Sequence, residues 1–406
     1  MLEEKERTPF ISISVYFLLF LFLFTEGINE GFITNTLTNG IAVVLMIILV
    51  FYALQTMQFS IGRFTSIFFL FLAMCFISVL WAGNKTRVFE VCAVLLRMFV
   101  LYALLENFVI RENDIDSLIL TVCLSCIAYS IYYILHFGIS GIIAAVTAGV
   151  RLGSKLDNAN AVGCRMALGS ILCLWYVIHA DKKIMLAGVI ATILGVFGTG
   201  SRTAIATCML GVFLLLFIGN ERSNAAKKFL LLGITAATVY IILSSGVLAG
   251  VSDRFASMFK ALSGKAGDGS ARVRILMTKY GWKQFLKTPI LGIGIGNSGQ
   301  VAGLASPNYA NGYLHNNYIE LLVSIGVVGT AIYYSFFAHP LNRIFRNPQG
   351  RNAYTVLALT LMLSILLGQL GYVQYTKKYI YAYILLIMQL CKTVPDTEGD
   401  SDEAFT

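Results

Sequence analysis

The sequence predicts an all-α polytopic membrane protein of about twelve transmembrane helices, with one large extracytoplasmic loop containing short helices. Three observations predict it. Apolar residues make up 57% of the 406 residues and charged residues only 13%, where a soluble globule carries about 25%. Mean hydropathy is +0.77. Apolar runs also recur that approach the roughly 20 residues a helix needs to cross the hydrocarbon core. The runs lack the period-two alternation of a barrel, and without water to satisfy the backbone, helices remain. Aromatic residues at 13% and only 6 Pro exclude a disordered or fibrous chain.

Taken in order, the apolar runs place spans at 10–25, 37–54, 64–82, 88–110, 117–137, 160–179, 184–199, 203–219, 229–245, 316–337, 353–373 and 378–392. Lys5 and Arg7 precede the first run and no small-residue cleavage site follows before Glu26, so the first segment reads as a retained signal anchor. An even count puts both ends on one side. With the termini in the cytoplasm, the inner segments hold thirteen Lys and Arg and the short outer loops seven, the bias of an inside-positive protein. The chain then divides into spans one to nine (1–245), an extracytoplasmic loop (246–314), spans ten to twelve (315–392) and an acidic, disordered tail (393–406). Within the outer connections, the small-residue run Gly138 to Gly149 reads as a segment dipping into the membrane, and Arg272 to Lys287 as an amphipathic stretch.

The net charge of +9 belongs to residues flanking spans, and no interleaved basic and aromatic patch points to nucleic acid. The eight Cys all lie in or beside apolar runs; Cys123 and Cys126 form an isolated C-x-x-C, read as packing or lipid-facing thiols rather than a redox or metal pair. His136, His179 and His339 sit at span ends, and four scattered His give no zinc spacing.

Arg97 and Arg165 fall inside apolar runs, where a central Arg costs about 2.5–3.5 kcal/mol on insertion scales. Each either faces a polar cavity or pairs with a carboxylate, for which Glu90 and Glu106 are candidates. Gly198-Thr199-Gly200-Ser201-Arg202-Thr203 opens a span on the outer side: an ordinary cap with a solvated Arg, or a phosphate site built from free N–H groups and a guanidinium. Asp157-Asn158-Ala159-Asn160 is a second outer helix start, either a turn and cap or a partner for sugar hydroxyls. Gly294-x-Gly296-x-x-Gly299 matches a dinucleotide fingerprint but lacks the βαβ setting, and reads as a close-packed turn. His315-Asn316 follows where the long loop re-enters the membrane, with Gly326 and Gly329 beyond it suited to close helix approach.

The order of these pieces resembles the O-antigen ligase and O-antigen polymerase family of bacterial envelope glycosyltransferases, from about Ser78 to Gly371. Trp81-Ala82 with Arg87 is similar to the family's early outer loop, Asn158-x-Asn160 to its Asn-bearing helix start, and Ser201-Arg202-Thr203 to its Arg-bearing helix start. Arg274 ahead of Pro289 and Leu291-Gly292-Ile293-Gly294 resembles its loop arginine, with Arg272 as a competing alignment. His315-Asn316 with Gly326 and Gly329 is the most specific element.

The resemblance implies a GT-C type membrane fold in the bacterial inner membrane, and transfer of a glycan from undecaprenyl pyrophosphate to an acceptor hydroxyl. It implies polymerisation of lipid-linked repeat units, with ligation to lipid A–core as the alternative, and a lipid-linked oligosaccharide flippase as the competing class. It implies catalytic His315, Arg202 and Arg274, substrate-binding Arg165, Arg272, Asn158, Asn160, Asn316, Ser201 and Arg87, and no cofactor or metal. The partners are the lipid-linked oligosaccharide and membrane lipids, with a flippase and a chain-length regulator beside them and no nucleic acid. In that scheme arginines stabilise the departing pyrophosphate, and His315, with an ordinary pKa near 6.5, accepts the hydroxyl proton. Asp157 and Asp268 are alternative bases, and Arg254 reads as solvated.

Overall fold

The computed structural model describes residues 9–28, 32–57, 59–152, 156–218, 253, 256–257, 269–347 and 352–393. Lys5 and Arg7, the expected span at 229–245, Arg254, Asp268 and the acidic tail lie outside the described residues. Among the described residues the regular structure is helical, with no strand. In chain order the α-helices are α1 (Pro9–Glu26), α2 (Phe32–Thr56), α3 (Arg63–Ile77), α4 (Lys85–Glu112), α5 (Ile115–Ala148), α6 (Ala159–His179), α7 (Met185–Gly198), α8 (Arg202–Ile218), α9 (Gly269–Phe285), α10 (Gly299–Ala305), α11 (Asn317–Arg346), α12 (Ala353–Gly368) and α13 (Lys378–Leu390).

Six of these segments are long and apolar enough to cross a membrane: Asn35–Thr56, Arg63–Leu80, Lys85–Glu112, Ile115–Ala148, Ala159–His179 and Asn317–Arg346. Helices α1, α7, α8 and α12 are apolar but shorter, at 10–17 residues of qualifying helix. At about 1.5 Å per residue a helix of that length falls short of the roughly 30 Å hydrocarbon core. Helix α13 has 13 residues, and every one from Tyr379 to Leu390 is buried. It forms the axis of the bundle rather than a lipid-facing span.

Caps fix where the helices begin. Asn84 accepts from the Arg87 N–H at 3.1 Å to start α4, and Asp114 from Ser117 N–H at 3.1 Å to start α5. Asn352 and Thr355 close a capping box on α12. Glu106 of α4 serves α3 from outside, accepting from Thr65 N–H at 2.9 Å and Thr65 Oγ1 at 2.6 Å. The expectation that Glu90 or Glu106 pairs with a buried Arg gives way here. Glu106 is taken by α3, Glu90 pairs with Arg87 at 2.8 Å, and Arg97 donates from Nε to Ala93 O at 3.1 Å.

Aromatic rings fill the space around α13. Tyr381 stacks on Phe68 with centroids 4.4 Å apart, and Phe336 meets Phe64 at 5.4 Å. Helix α6 packs closely on α5 and α8 through small residues: a Cβ on Gly163 would lie 2.5 Å from Ala204 Cβ, and one on Gly169 the same distance from Cys126 Cβ. All eight Cys are buried and free. The two thiols of the C-x-x-C face different neighbours, Cys123 lying 3.5 Å from Cys173 Sγ and Cys126 3.1 Å from Tyr383 Oη.

Two helices are interrupted. The Gly138 to Gly149 run is helical: α5 is interrupted at Gly138 (φ +70°, ψ +161°) and ends at Gly149 (φ +67°). Helix α11 breaks at Gly326 (φ +62°, ψ −166°), so Gly326 does more than permit close approach of another helix. The freed backbone pairs with the loop before α10. Ile293 N–H donates to Val323 O at 2.9 Å, Gly294 N–H to Ser324 O at 2.8 Å, and Val327 N–H to Pro289 O at 2.8 Å. A break inside an apolar helix is tolerated only when such partners exist. Gly292 (φ +68°) is required for the approach, since its Cβ would lie 2.5 Å from the Ser324 carbonyl carbon.

The ends of the bundle are distinct. At one, Tyr16 donates to Asp114 O at 2.9 Å, Tyr52 to Glu112 at 2.6 Å and Tyr354 to Asp116 at 2.8 Å. At the other, α4, α6, α8, α11 and α13 all begin, and α9 and α10 lie over them. The second end carries the candidate site.

Candidate functional site

The site grows from the starts of α6 and α8. Asn158 caps α6, its Oδ1 accepting from Asn160 N–H at 2.9 Å while its Nδ2 donates to Tyr313 Oη at 3.0 Å. Asn160, 2% exposed, is a hub: Nδ2 donates to Gly371 O at 2.6 Å, and Oδ1 accepts from Ser201 Oγ at 2.8 Å and Arg151 Nη2 at 3.1 Å. Ser201 also accepts from Ala204 N–H at 3.2 Å and so caps α8, which leaves Arg202 as the first residue of that helix. The two Asn and Ser201 thus set the frame, and their polar atoms are spent on neighbours.

Around this frame stand cations. Arg151 leaves the α5–α6 connection, Arg202 opens α8 and Arg274 lies in the second turn of α9. Burial lowers the Arg274 pKa from its ordinary value, and Arg151 and Arg202 lower it further. Arg274 therefore lies within electrostatic reach of both Arg151 and Arg202. Lys377, at the start of α13, pairs with Asp157 at 2.6 Å. Helix starts add partial positive charge at the same end. Arg272 is exposed and Arg274 half-buried; two helical positions differ by about 200°, so only Arg274 of the pair faces the cluster.

His315 completes the group. It sits at φ +55°, a conformation rarely adopted outside glycine. The surroundings hold it there. Leu314 N–H donates to the buried Glu320 carboxylate at 2.9 Å, Asn316 caps α11 by accepting from Tyr318 and Ile319 N–H, and the Tyr313 and Tyr309 rings lie 4.4 and 5.3 Å from the imidazole. Its Nδ1 is buried with no hydrogen-bond partner among the described residues. Burial, then Arg274 and Arg151, lower its pKa to about 4. The ordinary value near 6.5 expected from sequence is thus replaced by that of an imidazole kept neutral by burial first and by neighbouring cations second.

Arg202, Arg274, His315, Asn158, Asn160 and Ser201 are brought together, and Asn316 acts at the neighbouring cap. Arg165 and Arg87 are elsewhere. Arg165 is 2% exposed, donates to Leu23 O, lies 3.6 Å from Glu26 and has its guanidinium 4.5 Å from the Tyr129 ring centre. Arg87 is exposed at the start of α4 with Glu90. Asp157, an alternative base, is held by Lys377. Sequence reasoning missed Arg151, Lys377, Tyr309 and Tyr313. Arg151 and Lys377 had registered only as loop charge. The one local signal for the tyrosines is their spacing, Tyr309 and Tyr313 preceding His315 by six and two residues.

Residues 187–334 of the chain match the family described as O-antigen ligase. The matched segment contains Arg202, Arg274 and His315 and leaves out Asn158, Asn160, Arg151 and Lys377, which complete the cluster from both sides of it. No curated protein matches the chain.

Proposed function

From the premise that the chain carries an O-antigen ligase family domain over residues 187–334, we propose that it polymerises oligosaccharide repeat units carried on undecaprenyl pyrophosphate at the outer leaflet of the bacterial inner membrane. The supporting observation is that Arg151 and the start of α8 meet at Asn160, and that Arg274, which feels the charge of both Arg151 and Arg202, lies beside a neutral imidazole. Cations held together against their own repulsion suit a dianionic headgroup. Arg binds phosphate oxygens bidentately, and preorganised donors act most strongly where charge grows in the transition state.

In the proposed step the acceptor hydroxyl gives its proton to His315 as its oxygen attacks the anomeric carbon. The bond from that carbon to the pyrophosphate oxygen breaks, with inversion. The electron pair leaves with undecaprenyl pyrophosphate, whose negative charge Arg202, Arg274 and Arg151 stabilise. His315 then loses the proton to solvent. Guanidinium groups supply the positive charge, so the step calls for no metal.

Ligation of finished glycan to a different acceptor is the second reading, favoured by the description of the matched family. The two, and a transporter, separate in one assay. Purified protein given lipid-linked repeats yields a ladder if it polymerises, a single transfer to an added acceptor if it ligates, and no covalent product if it only moves lipid. His315→Ala and Arg202→Ala are expected to abolish product at normal membrane abundance. Wild-type glycan profiles from both would reject the assignment.

A further inference from the structure

A polar cleft of about 340 Å³ lies on the other side of the loop that carries His315. Its lining includes Gly83, Asn84, Arg87, Asn297, Gln300 and Asn311. Tyr309, whose ring lies 5.3 Å from His315, is followed directly by Ala310 and Asn311, which face the cleft. One stretch of chain, Tyr309 to Asn311, thus borders both His315 and the cleft.

The cleft is built. Asn297, 3% exposed, accepts from Asn84 N–H at 2.8 Å and donates back to Asn84 O at 3.2 Å, pinning the start of α4 to the loop before α10. Ser298 beside it donates to Glu320 at 2.5 Å, and the same carboxylate holds Leu314 N–H next to His315. One buried acid thus fixes the cleft floor and the imidazole together. The exposed Gln300 and Asn311 amides and the backbone of three glycines, Gly83, Gly296 and Gly299, complete the lining. Charge is nearly balanced, because Arg87 is paired with Glu90 at 2.8 Å.

We propose that this cleft binds a hydroxyl-rich sugar residue of the glycan whose pyrophosphate or hydroxyl is engaged at the cation cluster. Each side-chain amide offers two donors and an acceptor, which matches hydroxyl groups that both give and take hydrogen bonds. A neutral cleft does not suit a second phosphate. The volume is at the lower end of the about 300–1,000 Å³ of small-ligand pockets, room for one sugar ring rather than a chain. The proposal deepens the glycosyl-transfer reading and rests on it.

Gly83 gives a direct test. Its added Cβ would meet Gln300 Nε2 at 3.8 Å and Asn297 Oδ1 at 4.0 Å, both cleft-lining residues in ordinary contact, so a side chain there starts at the cleft wall. The full chain in nanodiscs carries Gly83→Phe, with Gly83→Ala as control and Gln300→Ala/Asn311→Ala as a second route that leaves the fold contacts intact. Binding of bare undecaprenyl pyrophosphate and product formation from lipid-linked oligosaccharide are both measured. The expected result is at least a tenfold loss of product in Gly83→Phe and in the double variant, near-normal product in Gly83→Ala, and unchanged affinity for the bare lipid. Weakened binding of the lipid-linked glycan without acceptor assigns the sugar to the donor. Normal donor binding with slow transfer assigns it to the acceptor. Wild-type product from Gly83→Phe, or from the double variant if Gly83→Phe does not fold, overturns the proposal. Failure of the parent reading looks different: wild-type protein then neither binds the bare lipid nor forms product.

Discussion

His315 occupies a left-handed backbone conformation and carries a buried Nδ1 with no partner among the described residues; both cost stability unless the surroundings enforce them. Its pKa is lowered to about 4 by burial, Arg274 and Arg151. A depressed histidine pKa leaves the neutral base fully formed at neutral pH and removes it only as pH falls towards 4. The acidic limb of kcat/KM against pH is therefore expected near that value and not at 6.5. Arg151→Ala, which removes one of the lowering charges, is expected to move the limb upward, and 15N NMR of the imidazole would report the same shift. A limb that stays put in Arg151→Ala would show that the charge does not reach His315. The stability consequence has the same sign: the native state resists protonation, so stability falls as pH drops from the unfolded value near 6.5 towards 4. Arg165 is buried too, and its Nη1 also lacks a hydrogen-bond partner among the described residues, but Glu26 lies 3.6 Å away and the Tyr129 ring faces the guanidinium; removing one member of a buried pair costs about 3–5 kcal/mol. Arg165→Ala is expected to lower the melting temperature in detergent together with yield. Loss of product with unaltered melting would instead place Arg165 in substrate binding.

Among the helices, α11 carries the most unusual device. Its break at Gly326 is sustained by hydrogen bonds from the Pro289–Gly294 loop, and the same loop leads into the turn that ends at Asn297. The interruption links the membrane-embedded part of α11 to the covering layer over the site. Gly326→Ala meets both a positive φ and the Ile290 backbone, and strain of this kind costs about 1–3 kcal/mol before any clash is counted. It is expected to destabilise the protein strongly. Gly329→Ala meets only the Ile325 side chain and is expected to be the milder change; equal melting temperatures for the two variants would show that the break is not a strict requirement. Helix starts matter in the same way. Asn158 and Ser201 spend their side chains on caps and on Asn160, which sets where Arg202 emerges.

For the molecule as a whole, the starts of α4, α6, α8, α11 and α13 collect at one end together with the cation cluster and the polar cleft. If that end faces the exterior, Gln300→Cys is expected to react with an impermeant maleimide added to intact cells or spheroplasts, and Lys182→Cys only after permeabilisation. Both positions are exposed, and the eight native thiols are buried and give little background. The reverse pattern would invert the topology and remove the enzyme from its proposed leaflet.

Composition and the length of apolar runs determined the helical membrane class, because a backbone in lipid has few ways to satisfy itself. Cap residues were legible too: Ser201 and Asn158 start the helices their sequence context announced. The resemblance read from the motifs agrees with the family segment matched at residues 187–334, within which Arg202, Arg274 and His315 fall. What the sequence could not state was which charges meet. Arg165 and Arg202 are both arginines near the same end of apolar runs, and only packing decides that one finds Glu26 while the other joins Arg274 and Arg151. Arg151, Lys377 and the two tyrosines come from connections whose residues carry no periodic signal. The depressed His315 pKa and the cleft behind it depend on burial and on neighbours remote in sequence, and those exist only once the chain is folded.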